Sequence, residues 1–163
     1  MAAVRLVGWA RHDAGYIDNV AGSRTFPTSG ACISNASTPP EGCESSPVRA
    51  KDDYNDVDTY GARAALRVDL NDEWSITPSV MAQSQDANGS FGYDPAVGDL
   101  ELHTYYPTFS EDDFVQAALT VAGKIGNFDV VYAGAYLKRD VVVDYDYSDY
   151  AFFYDTYYTE YCS

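Results

Sequence analysis

Two histidines, three cysteines, pairs of adjacent aspartates and a crowd of tyrosines are the side chains of this 163-residue chain that could do chemistry. His103 follows Glu101, and His12 is remote from it in sequence. Glu-x-His alone lacks the second ligand pair that a zinc site needs. Asp52-Asp53 and Asp112-Asp113 read as solvated loop charges, not as a tuned acid and base. No Gly-x-Ser-x-Gly elbow and no glycine loop for phosphate occurs. Neither catalysis nor a metal or cofactor is expected. Cys32 and Cys43 close a short loop in a Ser/Pro/Gly-rich stretch without strand character, and no histidine or third cysteine lies near them in sequence. A disulfide formed in an oxidising compartment is expected there, with Cys162 left unpaired within the chain.

The aromatic residues offer binding. Tyr105, Tyr106 and Phe109 share one long segment, and nine rings crowd residues 145–161. Exposed aromatic patches mark contacts. Tyrosines also pack across neighbouring strands. Where Asp and Tyr alternate, at residues 145–150, a continuing strand is expected; for residues 151–161 both readings stand. The formal net charge is −15. Nucleic-acid binding needs clustered Lys and Arg and is not expected. The excess acid falls in residues 51–58, 94–113 and 140–160. It serves loop solubility, or it bridges through divalent cations to lipid phosphates, since hard cations take carboxylate oxygens.

The elements behind these residues are strands. Residues 4–13, 60–70, 74–86, 114–125 and 128–144 read as five strands of an antiparallel meander, so the fold class is all-β. Ala62, Ala64, Leu66, Val68 and Leu70 make an apolar face against Arg63 and Arg67; Val115, Ala117, Leu119 and Val121 do so against Gln116 and Thr120. The joints at 71–73 and 126–127 are hairpin-tight, whereas residues 20–58, 87–113 and 145–163 are long connections. Residues 15–19 read as a turn or bulge that ends a strand. Pro78 sits in mid-strand, which calls for a bulge or a local edge. Short turns at one end and long loops at the other are the pattern of an outer-membrane β-barrel.

Aromatic placement supports a lipid solvent for the apolar face. Trp74 and Phe128 follow the tight turns, and Tyr60 and Tyr136 sit toward the opposite strand ends on the same face. Two girdles are arranged this way. Eight strand steps from Phe128 to Tyr136, tilted near 45°, rise roughly 19 Å, close to a barrel's apolar band. No apolar run is long enough for a transmembrane helix. No charged n-region and apolar h-region open the chain. A mature, truncated or engineered start is expected.

The stretches GYIDN at 15–19, YGARAALRVDLNDEWSITPSVMAQ at 60–83, GDLELHTYYP at 98–107, DDFVQAALTVAGKIGNFDVVYAGAYLKRD at 112–140 and DYSDYAFFYD at 146–155 together resemble the barrel of TonB-dependent outer-membrane receptors, particularly those for siderophore uptake. The resemblance implies that residues 1–163 are a partial barrel segment with extracellular-type loops and no plug domain. It implies residence in the bacterial outer membrane, contact with lipid and with the remaining strands and plug of a fuller receptor, and a TonB-type energy transducer for the full-length protein. It implies a lumen lined by Arg63, Arg67, Gln83, Gln116, Lys124 and Arg139. It further implies a loop rim of His103, Tyr105, Tyr106, Tyr154 and Tyr157 that stacks on a ferric chelate or similar nutrient. With five strands where a closed barrel needs about eight, transport by this chain alone is not expected. A secreted soluble β-domain acting as a binding module or adhesin is the alternative, and a small self-associated barrel is a third.

Overall fold

The computed structural model describes residues 1–158; the expectation for Cys162 lies outside the described residues. The elements are β1 (Ala2–Asp13), β2 (Asp18–Asn19), β3 (Ser23–Thr25), β4 (Cys32–Ser34), β5 (Glu44–Ser45), β6 (Val57–Asp69), β7 (Ser75–Asn88), β8 (Glu101–Leu102), β9 (Phe109–Ile125), β10 (Phe128–Asp144) and α1 (Ser148–Tyr157). The five long strands form one antiparallel sheet in the order β1-β6-β7-β9-β10. The fold is mostly β, as period-two patterning predicts. No helix among the described residues is long and apolar enough to cross a membrane.

Local chemistry explains the joints. The Asn71 side chain accepts hydrogen bonds from the Glu73 and Trp74 amides at 2.9 and 2.8 Å, and the Leu70 amide donates to the Trp74 carbonyl at 2.8 Å. This Asx turn closes β6 onto β7. Between β9 and β10 the chain turns on two residues, with Gly126 at φ +61° and Asn127 outside the left-handed region. A glycine first in the loop is what a type II′ hairpin requires.

Three differences from the sequence expectation have physical causes. Strand β9 starts at Phe109, so the acidic run 111–113 is strand and not loop. Asp112 there receives a forked pair of hydrogen bonds from the Arg139 guanidinium of β10, one of them at 2.7 Å. A bidentate partner on the next strand makes a charged strand end favourable. Strand β7 lies between β6 and β9 and runs unbroken through Pro78, so Pro78 is not on an edge. The cysteine-bracketed stretch does carry strands. Cys32 and Cys43 are disulfide-bonded, with Cα atoms 4.4 Å apart. The bond holds β4 parallel to β5, with Ile33 opposite Glu44, while β3 pairs antiparallel to β4.

The chain divides into two compact units. One comprises Met1–His12, Asp58–Asp86 and Glu111–Val142; the other comprises Asp13–Val57, Ala87–Ser110 and the residues from Val143 on. We call them the sheet unit and the loop unit. Every buried described residue belongs to the loop unit: four are apolar (Ile17, Ile33, Leu102, Tyr105) and nine are polar or charged. The sheet unit buries none. Its apolar positions stay open, with Leu66, Val80, Leu119 and Val130 between 37% and 47% exposed. Along β9 the apolar Val115, Ala117 and Leu119 are exposed, while Gln116, Ala118 and Thr120 on the other face are half-buried. On β9 period two holds with the polar face the more enclosed, whereas on β6 Arg63 and Arg67 are exposed and Ala64 and Val68 half-buried.

Two tryptophans pack closely within the sheet unit. The Trp9 indole lies against Gly61 and the Trp74 indole against Gly123; a Cβ built on either glycine would fall 2.1 or 2.2 Å from ring carbons. Gly61→Ala is therefore expected to cost about 1–3 kcal/mol by overpacking. The additional change Trp9→Ala should relieve that cost. Denaturant titration in detergent of the two single variants and the double variant measures the coupling.

Candidate functional site

The loop unit is built around amides. Strands β2 and β8 pair in parallel, with Asp18 opposite Glu101 and Asn19 opposite Leu102. That pairing sets residues 103–106 beside Asn19. The Asn19 side-chain oxygen accepts from the Thr104 amide at 2.8 Å and from Asn35 Nδ2 at 2.9 Å. Its Nδ2 donates to the carbonyls of Arg49 and Thr104. Asn35 Nδ2 also donates to the Val20 and Thr104 carbonyls, and its oxygen accepts from the Gly22 amide at 2.7 Å. Asn55 accepts from the Tyr16 and Ile17 amides at 2.7 and 2.8 Å, while its own Nδ2 is buried with no partner in the structure. Three asparagines thus do with hydrogen bonds what an apolar core does by burial. Buried polar groups cost little only when satisfied.

Aspartates then fix the last segment. Asp146 accepts from the Tyr105 amide at 2.7 Å, from the Tyr106 amide and from the Ser148 amide at 2.8 Å. The Ser148 amide is the first of α1, whose N-cap is Tyr147. Within α1 the rings stack at helical spacing, with Tyr150 and Tyr154 centroids 4.5 Å apart and Phe153 and Tyr157 4.8 Å apart. The alternating Asp and Tyr of residues 145–150 therefore lead into a helix and not a continuing strand. Asp155, fully buried, accepts from the Thr28 and Ser29 amides at 2.7 and 3.1 Å and ties α1 to the turn after β3. Burial pushes its carboxyl up, but the hydrogen bonds from Thr28 and Ser29 outweigh burial and hold it below the usual carboxylate range.

An open cavity of about 340 Å³ lies in this unit, walled by residues that include Arg24, Tyr93, Asp94, His103, Asp146 and Asp149. His103 Nδ1 sits 3.0 Å from the Val20 carbonyl, so Nδ1 carries the proton and donates it. The imidazole lies flat on Gly22, where a Cβ would come within 2.5 Å of it. The Arg24 guanidinium pairs with Asp149 and stands over the Tyr105 and Phe152 rings, 5.5 and 5.6 Å from their centroids. Burial raises the Tyr105 phenol above its ordinary value against the opposing pull of Arg24.

Of the rim residues read from sequence, His103 reaches the cavity wall. Tyr105 is 1% exposed and forms core beneath Arg24. Tyr106 is exposed beside it. Tyr154 and Tyr157 stand on α1, where the Tyr150 hydroxyl donates to that of Tyr154 at 2.8 Å. Of the lumen-lining residues, Arg63 and Gln116 share a shallow depression with Ser79 and Met81. Gln83 borders a groove beside Trp9, Tyr60 and Phe114. Arg67, Lys124 and Arg139 are paired with Asp69, Asp129 and Asp112. Arg24, Asp146 and Asp155 were not flagged by sequence reasoning. Each acts through a contact more than 35 residues away in the chain, and no local spacing signals it.

Asn19→Asp should turn two donors into acceptors facing the Arg49 and Thr104 carbonyls. The expected loss is about 2–4 kcal/mol, read by denaturant unfolding followed through the tyrosine near-UV signal. Asp155, with its lowered carboxyl value, adds stability above about pH 4, the ordinary carboxylate range, and loses it as pH falls through the folded value. Asp155→Asn should therefore flatten the acid limb of the ellipticity–pH curve while lowering stability at pH 7.

No family model, curated protein or solved structure matches this chain.

Proposed function

We propose that this chain is a segment of an outer-membrane, TonB-dependent uptake receptor, with the sheet against lipid and the loop unit toward the ligand. The observation that carries the reading is the sheet unit's exposure. It buries no residue, and its apolar positions stay exposed or half-buried along the strands. A soluble sheet would place that face under a second layer. A lipid-facing sheet leaves it outward and turns its polar residues inward, where Arg63, Arg67, Gln83, Gln116, Lys124 and Arg139 would meet a wet lumen. Trp74 and Phe128 at one end, with Tyr60 and Tyr136 further along, suit the interfacial aromatic belts.

Uptake in this reading makes and breaks no bond. The loops capture a ferric siderophore or similar nutrient, and passage depends on strands, plug and energy transducer of the fuller receptor. A secreted binding module is the second reading. It is favoured by the loop unit, which carries its own disulfide and its own hydrogen-bonded core.

The test is solvent preference. The isolated chain should aggregate in water, because two open edges and a broad apolar face are exposed, and should become dispersed in detergent. Size-exclusion chromatography with circular dichroism, without and then with detergent, measures this. A detergent-free monomer with a cooperative melt would overturn the receptor reading and favour the secreted module. Leu66→Arg, near mid-membrane in this reading, should cost about 2–4 kcal/mol in a bilayer.

A further inference from the structure

We propose that the cavity beside His103 takes a compact organic cation, a primary amine. The inference rests on the loop unit being the ligand-binding part and goes beyond the uptake reading: it gives that unit a small-cation pocket separate from any surface that would hold a ferric chelate.

Charge is the first support. Fifteen of the 25 acidic residues but only three of the ten Lys and Arg lie in the loop unit. A cation approaching such a surface is drawn in and an anion is repelled. The cavity wall has the same bias. Asp94, Asp146 and Asp149 face it, and Arg24 is its one Lys or Arg among the described residues. Arg24 is already engaged by Asp149 and by two rings. Asp146 spends its oxygens on backbone amides. Asp94 uses Oδ1 to accept from the Ala96 amide at 2.9 Å, which leaves Oδ2 for an ammonium group.

The rings are the second support. Tyr93 and Tyr145 line the cavity and are 47% and 59% exposed. Their faces attract a cation within about 6 Å of the ring centre. His103 donates from Nδ1 to the Val20 carbonyl, which leaves Nε2 as the ring nitrogen open to a ligand. Arg24 shows the same chemistry inside the chain: a cation set over aromatic faces and paired with a carboxylate. At about 340 Å³ the space lies at the small end of ligand sites, suited to a diamine and not to a bulky chelate.

The experiment is calorimetric titration of the full, disulfide-oxidised chain in detergent with putrescine, with citrate as the anionic comparator. Saturable putrescine binding and no citrate binding are expected. Asp94→Asn should weaken putrescine by about tenfold, the loss of one charge-assisted hydrogen bond. Tyr93→Ala should weaken it several-fold. Glu73→Gln, in the turn between β6 and β7, should leave it unchanged. Citrate binding in place of putrescine, or equal weakening by Glu73→Gln and Asp94→Asn, would overturn the proposal. Absence of amine binding in a chain that disperses only in detergent would reject the ligand class and leave the uptake reading standing. A detergent-free monomer that binds putrescine would reject the uptake reading and keep the site.

Discussion

A β-sheet one layer thick has no interior. Its ladder satisfies the backbone, but its side chains on both faces meet whatever surrounds them. The five-stranded sheet of this chain obeys that constraint throughout, and no residue of its unit is buried. Local packing in it includes indoles laid on glycines, Trp9 on Gly61 and Trp74 on Gly123. Strand-to-strand order therefore depends on hydrogen bonds, on hairpin chemistry at Asn71 and Gly126, and on cross-strand pairs such as His12 with Asp58 at 2.8 Å. None of these supplies the hydrophobic term that dominates folding of soluble domains.

The loop unit solves the opposite problem. It buries few apolar residues and orders long segments through amide networks, the buried Asp155 and a disulfide. Such a core is directional. An apolar core tolerates volume-conserving exchange, whereas Asn19 fits its donors and acceptors in one arrangement. A disulfide across eleven residues also limits the unfolded ensemble. Rigid loops with charged and aromatic walls are suited to recognition, because a ligand need not first order them.

Legibility from sequence followed the same division. Alternation needs only neighbouring residues, so β6, β7, β9 and β10 were readable to within a few positions, as were both tight turns and the cysteine pair. Loop structure depends on partners distant in the chain. Asn19 reads locally as a turn residue, and nothing near it announces Asn35 or Thr104. Tyr and Asp are weak helix formers, so α1 was hidden until Asp155 met Thr28 and Ser29. Within the candidate site, His103 stood out as one of two histidines. Asp146 and Asp149 lie in a run read as loop acid, nothing local marks Arg24, and only the tertiary fold gathers the three around one cavity.

The number of long strands carries one more consequence. Antiparallel neighbours alternate in direction, so with five of them β1 and β10 point the same way. Bending the sheet round to join its own edges would create a parallel seam, which an up-and-down barrel does not contain. A second copy in the same orientation would create two such seams, and an inverted copy would set its hairpins level with the other's long connections. An all-antiparallel barrel therefore needs an odd number of further strands between the two edges, and copies of this sheet in one orientation cannot close it without parallel seams.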